Sequence, residues 1–308
     1  MLQNGGALAD IFQLLESNMR LKLSGPDYKA QDPATALEDF KKRIAMYEKK
    51  YVPLGPNEER HGHPYCQMID VGRKFTMHRI HGFFAFEAVY YLQHFNLFPR
   101  QIWLTRHGQS YDDVAGRLGG DAELTAGGIQ YASTLSRFID HQRDLWQKHH
   151  PISESESLDY SYNQPPGSFQ VWTSTMLRSK QTAQFFQQPK YDTKQLPMLD
   201  ELNAGILEGL TREEVKRFYS DWYEKRHKDK LRFRYPGARG EGYMDVTNRL
   251  KSVILEVERA TDHVLLISGL AVMRVLLAYF KGLQMEEITD LDIPLGTLFM
   301  LEPVSTLT

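Results

Sequence analysis

Apolar residues change their spacing where Leu97-Phe98-Pro99-Arg100 interrupts the 308-residue chain. Beyond that point short apolar runs alternate with helical stripes. Ile102-Trp103-Leu104, Val171-Trp172, His263-Val264-Leu265-Leu266-Ile267 and Thr297 to Leu301 predict strands. Ile129, Ala132, Leu135, Phe138 and Ile139 recur at helical spacing behind a capping Thr125. Met176 to Phe186 predicts another helix. Thr211 with Glu214 fits a capping box ahead of Val215, Phe218, Tyr219 and Trp222. Val246, Leu250, Val253, Ile254 and Val257 mark a further helix, and Ala271 to Phe280 a buried one closed by Gly282. Such alternation implies an α/β fold, a mostly parallel sheet with helices on both faces. Ser153 to Gly167 is polar and reads as a surface excursion.

The first region has a different texture. Leu8 to Leu15 suggests a helix, and a second follows Asp32-Pro33, with Leu37, Phe40, Ile44 and Tyr47 on one face. Gln67 to Val71 reads as a strand, and the aromatic run Phe83 to Phe95 as buried. Too short and strand-poor for a complete α/β domain, this region reads as the tail of one. The expected division is 1–98 and 99–308.

A formal charge of -2 argues against nucleic-acid or membrane-surface binding, and no apolar run is long enough for an ordinary membrane span. Cys66 is the single cysteine, which excludes a disulfide framework. The first residues lack the basic start and apolar stretch of a secretory signal, so a cytoplasmic protein is expected. His61, His63, His78 and His81 have no metal-ligand pattern, and no metal is expected.

Leu104-Thr105-Arg106-His107-Gly108 places Arg and His where a strand ends, the position at which open α/β sheets bind ligands. An imidazole there can attack phosphorus if cations offset the phosphate charge. Arg178, in Thr173-Ser174-Thr175-Met176-Leu177-Arg178, stands at a second strand end. Taken alone, Arg-His-Gly also describes an ordinary strand-end pair.

The surrounding residues are more specific. Leu104 to Ser110, Gly116-Arg117-Leu118-Gly119-Gly120-Asp121, Val171-Trp172-Thr173-Ser174, Gln181-Thr182-Ala183, Leu202-Asn203-Ala204-Gly205, Tyr235-Pro236, Gly240-Glu241 and Arg274 to Phe280 resemble the histidine phosphatase superfamily. They are most similar to the bisphosphatase half of the 6-phosphofructo-2-kinase/fructose-2,6-bisphosphatase family, with Gly237-Ala238 giving a fungal-like impression. Leu21 to Tyr28, Asp39 to Tyr47 and Ile69-Asp70-Val71-Gly72 resemble the end of that family's P-loop-type kinase domain. The resemblance implies a phosphatase with His107 as nucleophile, Arg106 and Arg178 gripping the phosphoryl group, and Glu208 as general acid. It implies contacts from Leu118, Tyr219, Arg239 and Arg274 to the sugar and its second phosphate, with Asp113 facing the phosphate. It also implies sugar-phosphate contacts from Lys22, Arg43 and Tyr47. Implied ligands are fructose 2,6-bisphosphate or fructose 6-phosphate. ATP and Mg belong only to the family's complete kinase, so this chain is expected to carry no cofactor.

Three departures qualify those expectations. No G-x-x-x-x-G-K-[ST] occurs, so kinase activity is not expected from this chain. Gly269 stands where the family carries a second histidine. Asp113 stands where vertebrate members carry Asn, and is expected to need a partner such as Arg117. The alternatives are a slow fructose-2,6-bisphosphatase and a catalytically degenerate regulatory or sugar-phosphate-binding module. A phosphoglycerate-mutase-like enzyme fits worse. A kinase tail without its domain would expose apolar surface and favour a homo-oligomer.

Overall fold

The computed structural model describes residues 33–69, 74–94, 100–149, 169–260 and 262–303. The chain divides into two units with the boundary between Leu97 and Phe98. Among the described residues no helix is long and apolar enough to cross a membrane.

The first unit contains α1 (Pro33–Lys50), α2 (Pro56–His61), strands β1 (Tyr65–Ile69) and β2 (Lys74–His78), and α3 (Phe83–His94). β1 and β2 pair antiparallel, Tyr65 opposite His78. The strand expected at Gln67 starts earlier, at Tyr65, while Asp70 and Val71 lie outside the described residues, as do the proposed Leu8–Leu15 helix and Asp32 cap. The aromatic run is not buried: Phe83, Phe84, Phe86, Tyr90 and Tyr91 are exposed, and only Val89 of the described apolar residues on α3 is buried. Its apolar residues surround the helix, so no single packing layer can cover them all.

The second unit comprises Phe98–His150 and Gly167–Pro303. Its elements are β3 (Ile102–Arg106), α4 (Tyr111–Ala115), α5 (Ala126–His149), β4 (Phe169–Thr173), α6 (Leu177–Ala183), β5 (Tyr191–Gln195), α7 (Arg212–Phe218), α8 (Ser220–Lys228), α9 (Tyr243–Arg259), β6 (His263–Ser268), α10 (Leu270–Phe280) and β7 (Leu298–Leu301). Short 3-10 turns at Pro197–Leu199, Gly205–Leu207 and Met285–Asp290 complete it. The strand order is β5-β4-β6-β3-β7. Four strands run parallel and β7 pairs antiparallel with β3.

Alternation along each strand feeds two cores. Ile102, Leu104, Trp172, Val264 and Leu266 meet Val246, Leu250 and Val257 of α9 and the apolar residues of α10. Trp103, Val171, Leu265 and Ile267 meet Leu135 and Ile139 of α5 and Ala183 of α6 on the other face. Helices thus cover both faces of a mostly parallel sheet.

Helix starts follow the chemistry of the sequence. Thr125 Oγ1 accepts from the Gly128 N–H at 3.1 Å, and Thr211 exchanges hydrogen bonds with Glu214. The stripe expected from Val215 to Trp222 does not hold as one helix. The chain breaks at Tyr219, where φ is -136° and ψ 45°, and Phe218 turns to solvent. β5 is an element the apolar pattern did not announce. Polar segment 153–167 lies outside the described residues.

Register places the functional loops. Arg106 is level with Ser268, and Thr173 with Ile267. The carboxyl ends of β3, β4 and β6 therefore finish side by side, and the loops after them converge.

Candidate active site

His107 follows β3 directly. Its backbone N–H donates to Ser268 O at 3.1 Å, continuing the ladder one residue past the strand. The imidazole is buried, with Nδ1 2.8 Å from the Gly108 carbonyl oxygen. A carbonyl only accepts, so Nδ1 carries the hydrogen and Nε2 keeps its lone pair. Burial and the neighbouring Arg178 charge hold the imidazole well below its ordinary 6.5, which keeps it neutral and nucleophilic. The turn after it needs glycine: a Cβ at Gly108 would collide with the Gly128 backbone at the start of α5. Thr182 Oγ1 of α6 accepts from the Gly108 N–H at 2.9 Å and fixes the turn from the other side.

Two guanidinium groups flank this ring. Arg106 Nη1 donates to Ile293 O at 3.1 Å, and Arg178 Nη1 donates to Gly120 O at 2.6 Å. Both Nε atoms are buried without a hydrogen-bond partner among protein atoms. Buried donors are almost always satisfied in native proteins, so this pair is suited to an anion.

Asp113 also reaches this end. Its Oδ2 accepts from Ser110 N at 2.8 Å and Ser110 Oγ at 2.6 Å, and Oδ1 lies 3.6 Å from Arg106 Nη2. Burial alone would raise its carboxyl, but the Ser110 donors and Arg106 hold it below the ordinary carboxylate value. Its ion-pair partner is Arg106, not the expected Arg117. Arg117 lines the same cavity.

Gly269 caps α10, and the space beside it is taken by Glu201. Glu201 accepts from Ala271 N at 3.1 Å and from its own neighbour Leu202 N at 2.8 Å. A Cβ at 269 would collide with that carboxylate and stand 2.9 Å from Glu201 Cβ. The loop carrying Glu201 is held on several sides. Ser268 Oγ donates to Leu199 O, and Thr175 donates to Asp200 Oδ1 through N at 2.6 Å and Oγ1 at 2.9 Å. Restoring a side chain at 269 must therefore displace Glu201. Gly269→His is expected to lower stability by about 1–3 kcal/mol through overpacking, readable as a lower urea midpoint with unchanged slope.

These groups line one cavity of about 580 Å³. Its walls also carry Arg212, Arg226, Lys230 and Arg274, with Tyr235 and Tyr243. Arg274 Nη1 donates to Tyr243 Oη at 3.0 Å and its Nε to Leu291 O at 2.7 Å. Burial, with Arg274 and Arg226 nearby, lowers Lys230 to about 8. The arrangement offers an anion site beside the nucleophile and a further group of cations in the same cavity.

Of the residues expected from sequence, Arg106, His107, Asp113, Leu118, Arg178 and Arg274 line this cavity. Glu208 does not. Its Oε2 accepts from Gly120 N at 2.8 Å and Oε1 from Ala204 N at 2.5 Å, so it ties two loops together. It borders a separate shallow depression with Arg239 and the Gly237-Ala238 turn. Tyr219 packs in a small apolar cluster with Val215 and Tyr235 instead of lining the cavity. In the first unit Arg43 Nε donates to Asp39 Oδ2 at 2.9 Å, Tyr47 is exposed, and Lys22 lies outside the described residues. Glu201, Arg212, Arg226 and Lys230 were missed. The basic run Lys225-Arg226-His227-Lys228-Asp229-Lys230 was the available signal for the last two. No cluster of potential metal ligands occurs among the described residues.

Comparison with known proteins bears on both units. Residues 160–305 match the histidine phosphatase superfamily (branch 1), and residues 8–99 match 6-phosphofructo-2-kinase. A probable 6-phosphofructo-2-kinase of Schizosaccharomyces pombe is 44% identical over 94% of this chain and 49% of that protein. Saccharomyces cerevisiae 6-phosphofructo-2-kinase 1 is 47% identical over 94% of this chain and 35% of its own length. Human 6-phosphofructo-2-kinase/fructose-2,6-bisphosphatase 3 is 38% identical over 93% and 50%. The chain thus spans about half the length of such relatives, or less. Among solved structures, a putative α-ribazole-5'-P phosphatase of Escherichia coli aligns with TM-score 0.52 at 20% identity, covering 67% of this chain and 91% of that one. That likeness supports the histidine phosphatase fold.

Proposed function

Because this chain belongs to the 6-phosphofructo-2-kinase/fructose-2,6-bisphosphatase family, we propose that its second unit binds phosphorylated fructose and slowly hydrolyses the 2-phosphate of fructose 2,6-bisphosphate through phospho-His107. The observation that carries this reading is a buried, neutral imidazole with Nε2 unprotonated, in one cavity with two guanidinium groups whose Nε donors lack protein partners.

In the first half-reaction Nε2 of His107 attacks phosphorus, an N–P bond forms, and the P–O bond to sugar C2 breaks. Arg106 and Arg178 offset charge on the transferring group. Of the candidate carboxyl groups Glu201 lines the cavity itself, and under this reading it delivers a proton to the departing oxygen and recovers one from the attacking water. Asp113 is held ionised and is a poor donor. Water then attacks phosphorus, the N–P bond breaks, and inorganic phosphate leaves. Arg212, Arg226, Lys230 and Arg274 suit the 6-phosphate.

Two features slow this sequence. Gly269 supplies no side-chain donor, and the loss of one preorganised donor costs roughly 10²–10³-fold. Asp113 competes with the phosphoryl group for Arg106. The same features support the second reading, a binding module whose residual chemistry is incidental. Without a phosphate-cradling loop in its sequence, the chain is not expected to make fructose 2,6-bisphosphate from ATP.

The test is phosphate release from fructose 2,6-bisphosphate between pH 8 and 5.5. Protonation would remove the attacking lone pair. Since His107 is held below 6.5, its neutral fraction stays high as pH falls through that value. Slow release without an inflection near 6.5 is expected. An inflection there would contradict the buried nucleophile, and the absence of both phosphate release and calorimetric binding would overturn the reading.

A further inference from the structure

Charge is distributed unevenly in the cavity. Its lining carboxylates are Asp112 and Asp113 in α4, after β3, and Glu201 in the segment after β5. Asp112 is engaged by the Ala122 N–H at 2.9 Å, and Glu201 by the α10 amino end. Asp113 lies on the non-attacking side of the His107 ring, with Oδ2 3.9 Å from Nδ1. Its Oδ1 is 3.6 Å from Nη2 of Arg106, the guanidinium a phosphoryl group on Nε2 would also use. The other cations of the cavity, Arg212, Arg226, Lys230 and Arg274, have no carboxylate among the cavity-lining residues of their own segments, 212–235 and 270–274.

Asp113 cannot easily turn away. Its Oδ2 accepts from Ser110 N and its own N–H donates to Ser110 Oγ, which holds it in the first turn of α4. A phosphoryl dianion beside His107 would have to share Arg106 with a fixed negative charge at close range. A neutral hydroxyl in the same place meets no such penalty, and can donate a hydrogen bond to the carboxylate.

We infer that Asp113 is a specificity determinant that makes the cavity favour a ketose monophosphate, with its phosphate on the Arg212, Arg226, Lys230 and Arg274 group and its C2 hydroxyl towards His107, over the corresponding bisphosphate. This rests on the sugar-phosphate reading above and goes beyond it, because it reverses the order that ligand charge alone would give in a cation-rich cavity. The domain would then hold the product of its own slow reaction more firmly than the substrate, and report on fructose 6-phosphate more than on fructose 2,6-bisphosphate. The side chain acts directly on the ligand's phosphoryl or hydroxyl group.

The experiment is calorimetric titration of the full chain, wild type and Asp113→Asn, with fructose 6-phosphate and with fructose 2,6-bisphosphate. Wild type is expected to bind the monophosphate at least as tightly as the bisphosphate. Asn keeps an oxygen to accept from Ser110 N but loses the charge. Asp113→Asn should therefore raise bisphosphate affinity roughly tenfold or more, with no gain for the monophosphate, whose hydroxyl loses a charged acceptor. Tighter wild-type binding of the bisphosphate overturns this inference alone, as does an Asn variant that gains equally for both ligands. Binding of neither sugar phosphate overturns the function proposed above together with this inference. The wild-type ranking needs no substitution, so it decides the matter even if the variant folds poorly.

Discussion

Replacing His107 with alanine is expected to abolish acid-labile phosphate incorporation from fructose 2,6-bisphosphate and to cut phosphate release on the order of 10³-fold or more. The ring is the only group in the cavity with a neutral nitrogen lone pair beside both Arg106 and Arg178 among the described residues. Binding should survive, because Arg212, Arg226, Lys230 and Arg274 remain. Comparing label in a rapid quench with affinity by titration separates the two. Label retained by the alanine variant would place the phosphoryl acceptor elsewhere.

Glu201→Gln carries the next largest expected effect, a fall of roughly 10²–10⁴-fold in turnover with little change in KM. Glutamine still offers an oxygen to Ala271 N, so the loop keeps its anchor while the proton donor is lost. Glu208→Gln provides the contrast. It keeps one acceptor for Gly120 N or Ala204 N and lies outside the cavity, so turnover should hold near wild type. Steady-state kinetics of the two variants side by side decide between these carboxyl groups. Loss of turnover in the Glu208 variant alone would return the acid role to that residue.

The contrast between these two glutamates shows where sequence was informative. β3, β4 and β6 were legible because buried parallel strands are short apolar runs, and Arg106, His107 and Arg178 follow such runs directly. β5, by contrast, reads Tyr-Asp-Thr-Lys-Gln, and only Tyr191 of it is buried. An edge strand exposes alternate residues to water and leaves no apolar run to notice. With β5 unseen, the loop after it did not look like a strand end, and Glu201 passed without comment. Glu208 is the general acid that family likeness implies. Its two backbone donors, Gly120 N and Ala204 N, have a counterpart in Ala271 N and Leu202 N at Glu201. Hydrogen bonding therefore does not rank the two carboxyl groups, and only Glu201's place in the cavity lining separates them. Family likeness carried the anion site further than pattern did, because Asp113 and Gly269 stood out as departures. It could not indicate that Asp113 pairs with Arg106 or that Glu201 fills the space beside Gly269. Those are consequences of three-dimensional packing between loops far apart in sequence. The aromatic run on α3 failed for a different reason: hydrophobicity alone does not supply a surface to pack against.

The central claim is that Nε2 of His107 accepts a phosphoryl group. Brief exposure of the wild-type chain to fructose 2,6-bisphosphate, alkaline digestion and tandem mass spectrometry test it directly. The prediction is a single phosphoryl addition on the peptide bearing Arg106-His107-Gly108, lost on acid treatment. An unmodified His107 peptide from a sample that is releasing phosphate would contradict it.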